Sequence, residues 1–151
     1  MSLNIELIEQ LKERLLSQPQ NFDINESDLC GSVACFAGHI VLIRKEAELK
    51  RIDPINFNEQ VKGIVKTLDW YDISTEAFEL LGLKNDSESG DISAKEKLFL
   101  LKGWPEPFQG DYRRYQKMIS NSETDAEILK NLKELARIAC DRLDHYVATG
   151  E

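Results

Sequence analysis

The amino-acid sequence predicts an all-α fold, one domain over residues 1–151, built as a bundle of six or seven helices around a buried central helix at about Val33–Lys50. Three observations carry this. Apolar residues recur at spacings of three and four in segment after segment. No segment sustains the two-residue alternation of β-branched residues that marks a half-buried strand. The run from Val33 to Ile43 is apolar on nearly every side, the pattern of a helix enclosed by others. With 42% of its 151 residues hydrophobic, the chain is long enough to form one core without disulfide or metal staples.

Each element has its own signals. Asn4 is placed to cap a first helix in which Leu7, Ile8, Leu11, Leu15 and Leu16 form one apolar stripe, and Pro19 ends it. The polar stretch Gln20 to Leu29 reads as a loop. Ser32 is placed to cap the central helix, which runs from Val33 into a charged stretch ending near Lys50. Beyond Asp53-Pro54, the residues Phe57, Val61, Ile64, Val65 and Leu68 keep the helical period, and Trp70 and Tyr71 close that third helix. Ser74 is the expected cap of a short helix over TEAFELL, with Gly82 as its left-handed end and Leu83 folding back on Phe78. Ser93 and Glu96 form a capping box for a helix that stops at Gly103, before Trp104-Pro105. Tyr112, Tyr115, Met118 and Ile119 predict a short helix after Gly110. A second capping box, Thr124 with Glu127, opens the longest helix, along which Ile128, Leu129, Leu132, Leu135, Ala136, Ala139, Leu143 and Tyr146 repeat.

Charge narrows the list of partners. Lys and Arg number 19 against 27 Asp and Glu, a net charge of −8, and no run of bases interrupts the acidic background. Nucleic-acid backbones and anionic membranes draw their affinity from clustered cations, so neither is an expected partner. No apolar run approaches the roughly 20 residues that span a bilayer. The N-terminal MSLNIELIEQ carries acid where a signal peptide requires base, and three cysteines make an odd number. Cytoplasmic residence with reduced thiols is therefore expected.

One stretch, CGSVACFAGH at residues 30 to 39, is not required by helix building alone. Cys35 sits three residues past the expected cap Ser32 and Cys30 just before it, and amides at a helix N-terminus favour thiolate. Cys30-Gly31-Ser32 resembles the papain-type segment, in which the order is Cys-Gly-Ser-Cys-Trp and the base comes from a β-rich half; this chain offers only His39 and His145 and no strand to carry them. A metal site would draw on Cys30, Cys35 and His39, yet Cys140 and His145 are five apart on a helix and point in different directions. A redox disulfide between Cys30 and Cys35 is a further alternative. The reading preferred here is mechanical: small residues Ala34, Cys35, Ala37 and Gly38 let another helix approach closely.

A second constellation is NDSESGDISAKE, Asn85 to Glu96, which has the spacing of a twelve-residue calcium loop. Candidate ligands are Asn85, Ser87, Ser89, Asp91, Ser93 and Glu96, with Gly90 at the sharp turn. Because Glu96 is the one expected side-chain carboxylate ligand, affinity would be weak; a solvated loop followed by the Ser93 capping box explains the same residues. The aromatic group Trp104, Phe108, Tyr112 and Tyr115 either plugs the end of the core or, where exposed, forms a partner-binding patch. The last helix offers Ile128, Leu132, Leu135, Ala139 and Tyr146 to its own core or to a second copy.

The segment Cys30 to His39, followed by Ala77–Leu83 (AFELLGL), Leu98-Phe99 and Trp104-Pro105, resembles a family of small, mostly uncharacterised bacterial and phage proteins that share C-G-[ST]-x-x-C-x-A-G and then L-L-G-L, L-F and W-P elements. The resemblance covers roughly the middle half of the chain, which departs from it by a longer insert, Lys84 to Lys97. It implies a fold and no activity. The phosphate-binding, metalloprotease, hydrolase and paired-thiol signatures GxxxxGK[ST], HExxH, GxSxG and CxxC are all missing. The expectation is a non-catalytic protein without a cofactor, acting through another protein or self-association. The alternatives are a thiol-dependent enzyme or redox sensor using Cys30 and Cys35 with His39, and a weak calcium-binding regulator.

Overall fold

The computed structural model describes residues 3–21, 36–65, 67–83 and 94–150. Among them the chain forms seven α-helices and two short 3-10 turns, with no strand. The all-α bundle is as the periodicity predicts, and the loop expected over Gln20 to Leu29 and the cap Ser32 lie mostly or wholly outside the described residues.

Helix α1, Ile5–Ser17, starts where Asn4 accepts a hydrogen bond from the Leu7 amide at 3.1 Å. Asn4 also ties this start to the end of another helix, its amide donating to Leu81 O at 2.8 Å and its side chain to Leu80 O at 3.2 Å. Leu7, Ile8, Leu11 and Leu15 are buried, but Leu16, expected on the same stripe, stands in water. At about 100° per residue the four buried side chains fall within one arc of roughly 100°, and Leu16 lies about 80° beyond its edge. Pro19 cannot continue the helix, and Pro19–Asn21 forms a 3-10 turn.

Helix α2, Phe36–Ile52, is the central helix. Every residue from Phe36 to Leu42 is buried, and α1, α3 and α4 pack around it. Helix α3, Phe57–Val65, ends before Leu68, which the sequence pattern had included. Helix α4, Trp70–Leu80, corrects two expectations. Trp70 and Tyr71 open this helix rather than close the preceding one, because Asp69 is the cap, its carboxylate accepting from the Asp72 amide at 2.8 Å. Ser74, the expected cap, is buried one turn inside. The far end is a Schellman ending: Gly82, at φ 79°, donates to Glu79 O at 2.9 Å and Leu83 donates to Phe78 O at 3.2 Å.

The helix expected from Ser93 to Gly103 is broken in two. Helix α5, Ala94–Phe99, stops where Leu100 turns extended, and Leu101–Gly103 forms a 3-10 turn. Helix α6, Phe108–Ser120, begins before Gly110 rather than after it. Its first turn is held by Glu106, whose carboxylate accepts from the Gly110 amide at 2.9 Å, and a Cβ on residue 110 would lie 2.6 Å from that oxygen. Helix α7, Asp125–Thr149, follows the Thr124 cap, whose hydroxyl accepts from the Glu127 amide at 3.2 Å. Glu127 answers by accepting from the Glu123 amide, one residue before the position a standard capping box uses. Leu135, Ala139 and Tyr146, offered by the sequence pattern to the core or to a second copy, are buried in this chain's own core, against α1 and α6.

Candidate functional site

Cys30 and Cys35 lie outside the described residues; His39 does not. Its imidazole is buried in the first turn of α2, where Arg14 of α1 donates from Nε to Nδ1 at 3.1 Å. The same guanidinium grips Glu46, about two turns further along α2, through Nη1 at 2.6 Å and Nη2 at 3.0 Å. Arginine has no acceptor and keeps its proton, so Nδ1 is the acceptor nitrogen and the ring proton of the neutral imidazole sits on Nε2. The lone pair a general base would use is thereby engaged by Arg14. What this group does is lock α1 across α2 with a planar, bidentate fork.

The third cysteine, Cys140 on α7, is buried against α1 with its sulfur 3.7 Å from Lys12 O. Burial pushes its thiol up to about 12, so at neutral pH it is a protonated, compact hydrophobe. Cys140 faces α1, whereas the His145 ring lies 5.3 Å from Phe108 of α6, which confirms that these two point to different neighbours. Among the described residues no three His, Cys, Asp or Glu side chains are grouped to hold a metal. Of the calcium-loop candidates, Asn85, Ser87, Ser89, Asp91 and Ser93 lie outside the described residues; Glu96 falls on α5, its side chain outside them too.

The aromatic group is divided. Trp104 and Tyr112 are buried: Trp104 stacks on Phe36 at 5.5 Å between ring centres and meets Tyr112 edge-on at 5.4 Å. Phe108 and Tyr115 are half-buried and packed against the same core. Trp104 also has a polar duty, donating from Nε1 to Leu98 O at 3.0 Å. Arg142 of α7 donates from Nη2 to Lys97 O at 2.7 Å. A helix end leaves its last carbonyls unsatisfied, and these two side chains serve the end of α5 inside the core. Among the described residues the arrangement leaves Arg142 Nε and Nη1 without a hydrogen-bond partner although the side chain is fully buried, and burial lowers its pKa.

Two surface features escaped the sequence reading. The first is the turn between α2 and α3. Asp53 accepts from the amides of Ile55 at 3.3 Å and Asn56 at 3.2 Å, and from the side chain of Gln60 at 3.4 Å, while Pro54 fixes its own φ. This pinned turn holds Ile52 at 72% and Ile55 at 87% exposure. Beside them Arg51 is exposed and, among the described residues, has no ion pair.

The second is a groove of about 750 Å³ between α1 and α7, with Cys140 lining it and Leu16, 55% exposed, on its α1 side. Lys12 bridges Glu9 at 2.9 Å and Asp144 at 2.6 Å, which raises its pKa through the Asp144 contact first and Glu9 second. On the α7 side Arg137 pairs with Asp141 at 3.1 Å. Glu13 is left exposed in the groove without an ion pair among the described residues. No helix is long and apolar enough to cross a membrane, counted over the described residues. Comparison with protein families, with curated proteins and with solved structures returns no match for this chain.

Proposed function

We propose that this is a non-catalytic helical protein that works by binding another protein or a second copy of itself. The observation that carries the reading is the display of Ile52 and Ile55 on a turn that Asp53 holds rigid. An isoleucine left in water forgoes roughly 1.5–3 kcal/mol of burial, and a pinned backbone denies these two the option of folding back. Docking onto a partner recovers that burial with little ordering cost, because the turn is already formed. Two further facts favour binding over thiol chemistry: the Nδ1 lone pair of His39 is engaged by Arg14, and Cys140 is held protonated.

The cytoplasm is the compartment we propose, and a relation to the bacterial and phage family named above is a proposal of the same standing. Neither nucleic acid nor a membrane is proposed as partner, in keeping with the net charge of −8. Native alkylation at pH 7 with mapping by mass spectrometry tests the reading. Cys30, Cys35 and Cys140 are expected to resist until the chain is denatured. Rapid labelling of Cys30 or Cys35 would overturn it in favour of a thiol-dependent enzyme or redox sensor.

A further inference from the structure

The exposed turn and the α1–α7 groove are opposite in shape and in unmatched charge. The turn is convex, presents Ile52 and Ile55, and carries Arg51 with no ion pair among the described residues. The groove is concave, has exposed Leu16 and the buried sulfur of Cys140 for its apolar surface, and carries Glu13 with no ion pair among the described residues. Both of its cations are already engaged internally, Lys12 with Glu9 and Asp144, and Arg137 with Glu134 and Asp141. The lining sets Glu9, Glu13, Asp141 and Asp144 against Lys12 and Arg137, so an incoming surface meets an excess of carboxylates beside the apolar side chain of Leu16, and the turn offers one unmatched guanidinium and two aliphatic side chains.

We infer that the α2–α3 turn of one copy docks in the α1–α7 groove of a second copy, with Ile52 and Ile55 against Leu16 and Cys140 and Arg51 facing Glu13. This rests on the protein-binding reading and names its partner. The two surfaces belong to different helix pairs, so the contact is heterologous: each docked pair keeps one free turn and one free groove, and association continues until a ring closes or the protein is exhausted. The buried patch is small, so association is weak and depends on protein concentration. Raising the salt weakens it further, because the Arg51–Glu13 pair lies at the rim.

Sedimentation velocity over a wide range of protein concentration tests this. The wild-type protein is expected to shift from monomer to larger species as concentration rises. Ile55→Glu removes the turn and Leu16→Glu removes the groove; each alone is expected to stay monomeric while keeping the wild-type circular dichroism spectrum, since both positions are exposed. Mixing the two restores one good turn and one good groove, and is expected to give a dimer and nothing larger. Arg51→Glu is expected to abolish association, and adding Glu13→Arg to it to restore the association. The inference is overturned by a wild-type protein that is monomeric throughout, by either single variant associating as the wild type does, or by a mixture that stays monomeric. Any of these leaves the native alkylation result untouched, so failure of the contact and failure of the protein-binding reading are told apart.

Discussion

The two halves of α2 are one continuous helix in opposite surroundings. From Phe36 to Leu42 every residue is buried, while the other half carries Arg44, Lys50 and Arg51 into water and ends on exposed Ile52. The difference lies in what packs against each half. The first half lies within the bundle and stacks on Trp104 through Phe36; the second is met by α4 through the Lys45–Glu76 pair at 3.3 Å and by α3, where Lys50 lies over the Phe57 ring, and α3 is a helix of nine residues whose own stripe is buried only in part. Val61 is buried, Phe57 is half-buried and Ile64 is exposed. An amphipathic period therefore shows that a helix has an apolar face, and the number of neighbours decides whether that face is covered.

Substitutions across this divide should separate by size. Phe36→Ala, which empties a buried and stacked position, is expected to cost about 3–5 kcal/mol in urea denaturation, whereas Ile55→Ala is expected to stay within about 0.5 kcal/mol of the wild type. A large loss at Ile55 would mean that the turn belongs to the core after all. The next effect concerns arginine. Arg14→Ala removes the donor to buried His39 and the partner of Glu46 and is expected to cost roughly 1–3 kcal/mol; Arg44→Ala, which breaks an exposed pair with Glu48, is expected to cost less than about 1 kcal/mol.

The α1–α7 seam adds a pH dependence on the core side. The Cys140 thiol is raised from 9.0 to about 12 in the folded protein, so between those values the unfolded chain releases a proton that the folded chain keeps. Stability from this group is complete below pH 9 and falls by about 1.4 kcal/mol per pH unit above it. Lys12, raised by Asp144 and Glu9, acts in the same direction, since its paired charge is lost as pH rises through its folded value. Denaturation midpoints measured from about pH 8 to about pH 11, a range that passes the unfolded thiol's value and stops short of the folded one, should fall, and Cys140→Ala should flatten part of that fall. The last effect is on α3 itself. Gly63 lies inside α3 with open space where a Cβ would go, so Gly63→Ala is expected to stabilise the protein by about 0.5–1 kcal/mol.

Legibility in the sequence followed the range of the interaction. Local signals held: Asn4, Pro19, Gly82 and Thr124 each act where a few neighbouring residues determine the geometry. Where two local signals competed, the sequence misled. Asp69 and Ser74 are both good caps, and the bulky pair Trp70-Tyr71 disguised a first turn as an ending. The break at Leu100 was hidden because Leu98, Phe99 and Leu101 read as uninterrupted apolar helix, while the carbonyls it frees are served by Trp104 and by Arg142, far along the chain. The Arg14–His39–Glu46 lock and the groove between α1 and α7 join residues too distant for any local pattern. The turn at Asp53-Pro54 was legible as punctuation; that it presents two isoleucines was not, since exposure depends on what fails to pack there.

Hydrogen exchange followed at low and high protein concentration reaches the central claim most directly, that α2 is core at one end and a docking element at the other. Amides from Phe36 to Leu42 should exchange only through global unfolding at both concentrations, while those of Ile55 and Asn56, held by the surface carboxylate of Asp53, should exchange faster than the core amides when dilute and slow further when concentrated. Equal exchange of the turn at both concentrations, or rapid exchange of the Phe36–Leu42 amides, would contradict the account.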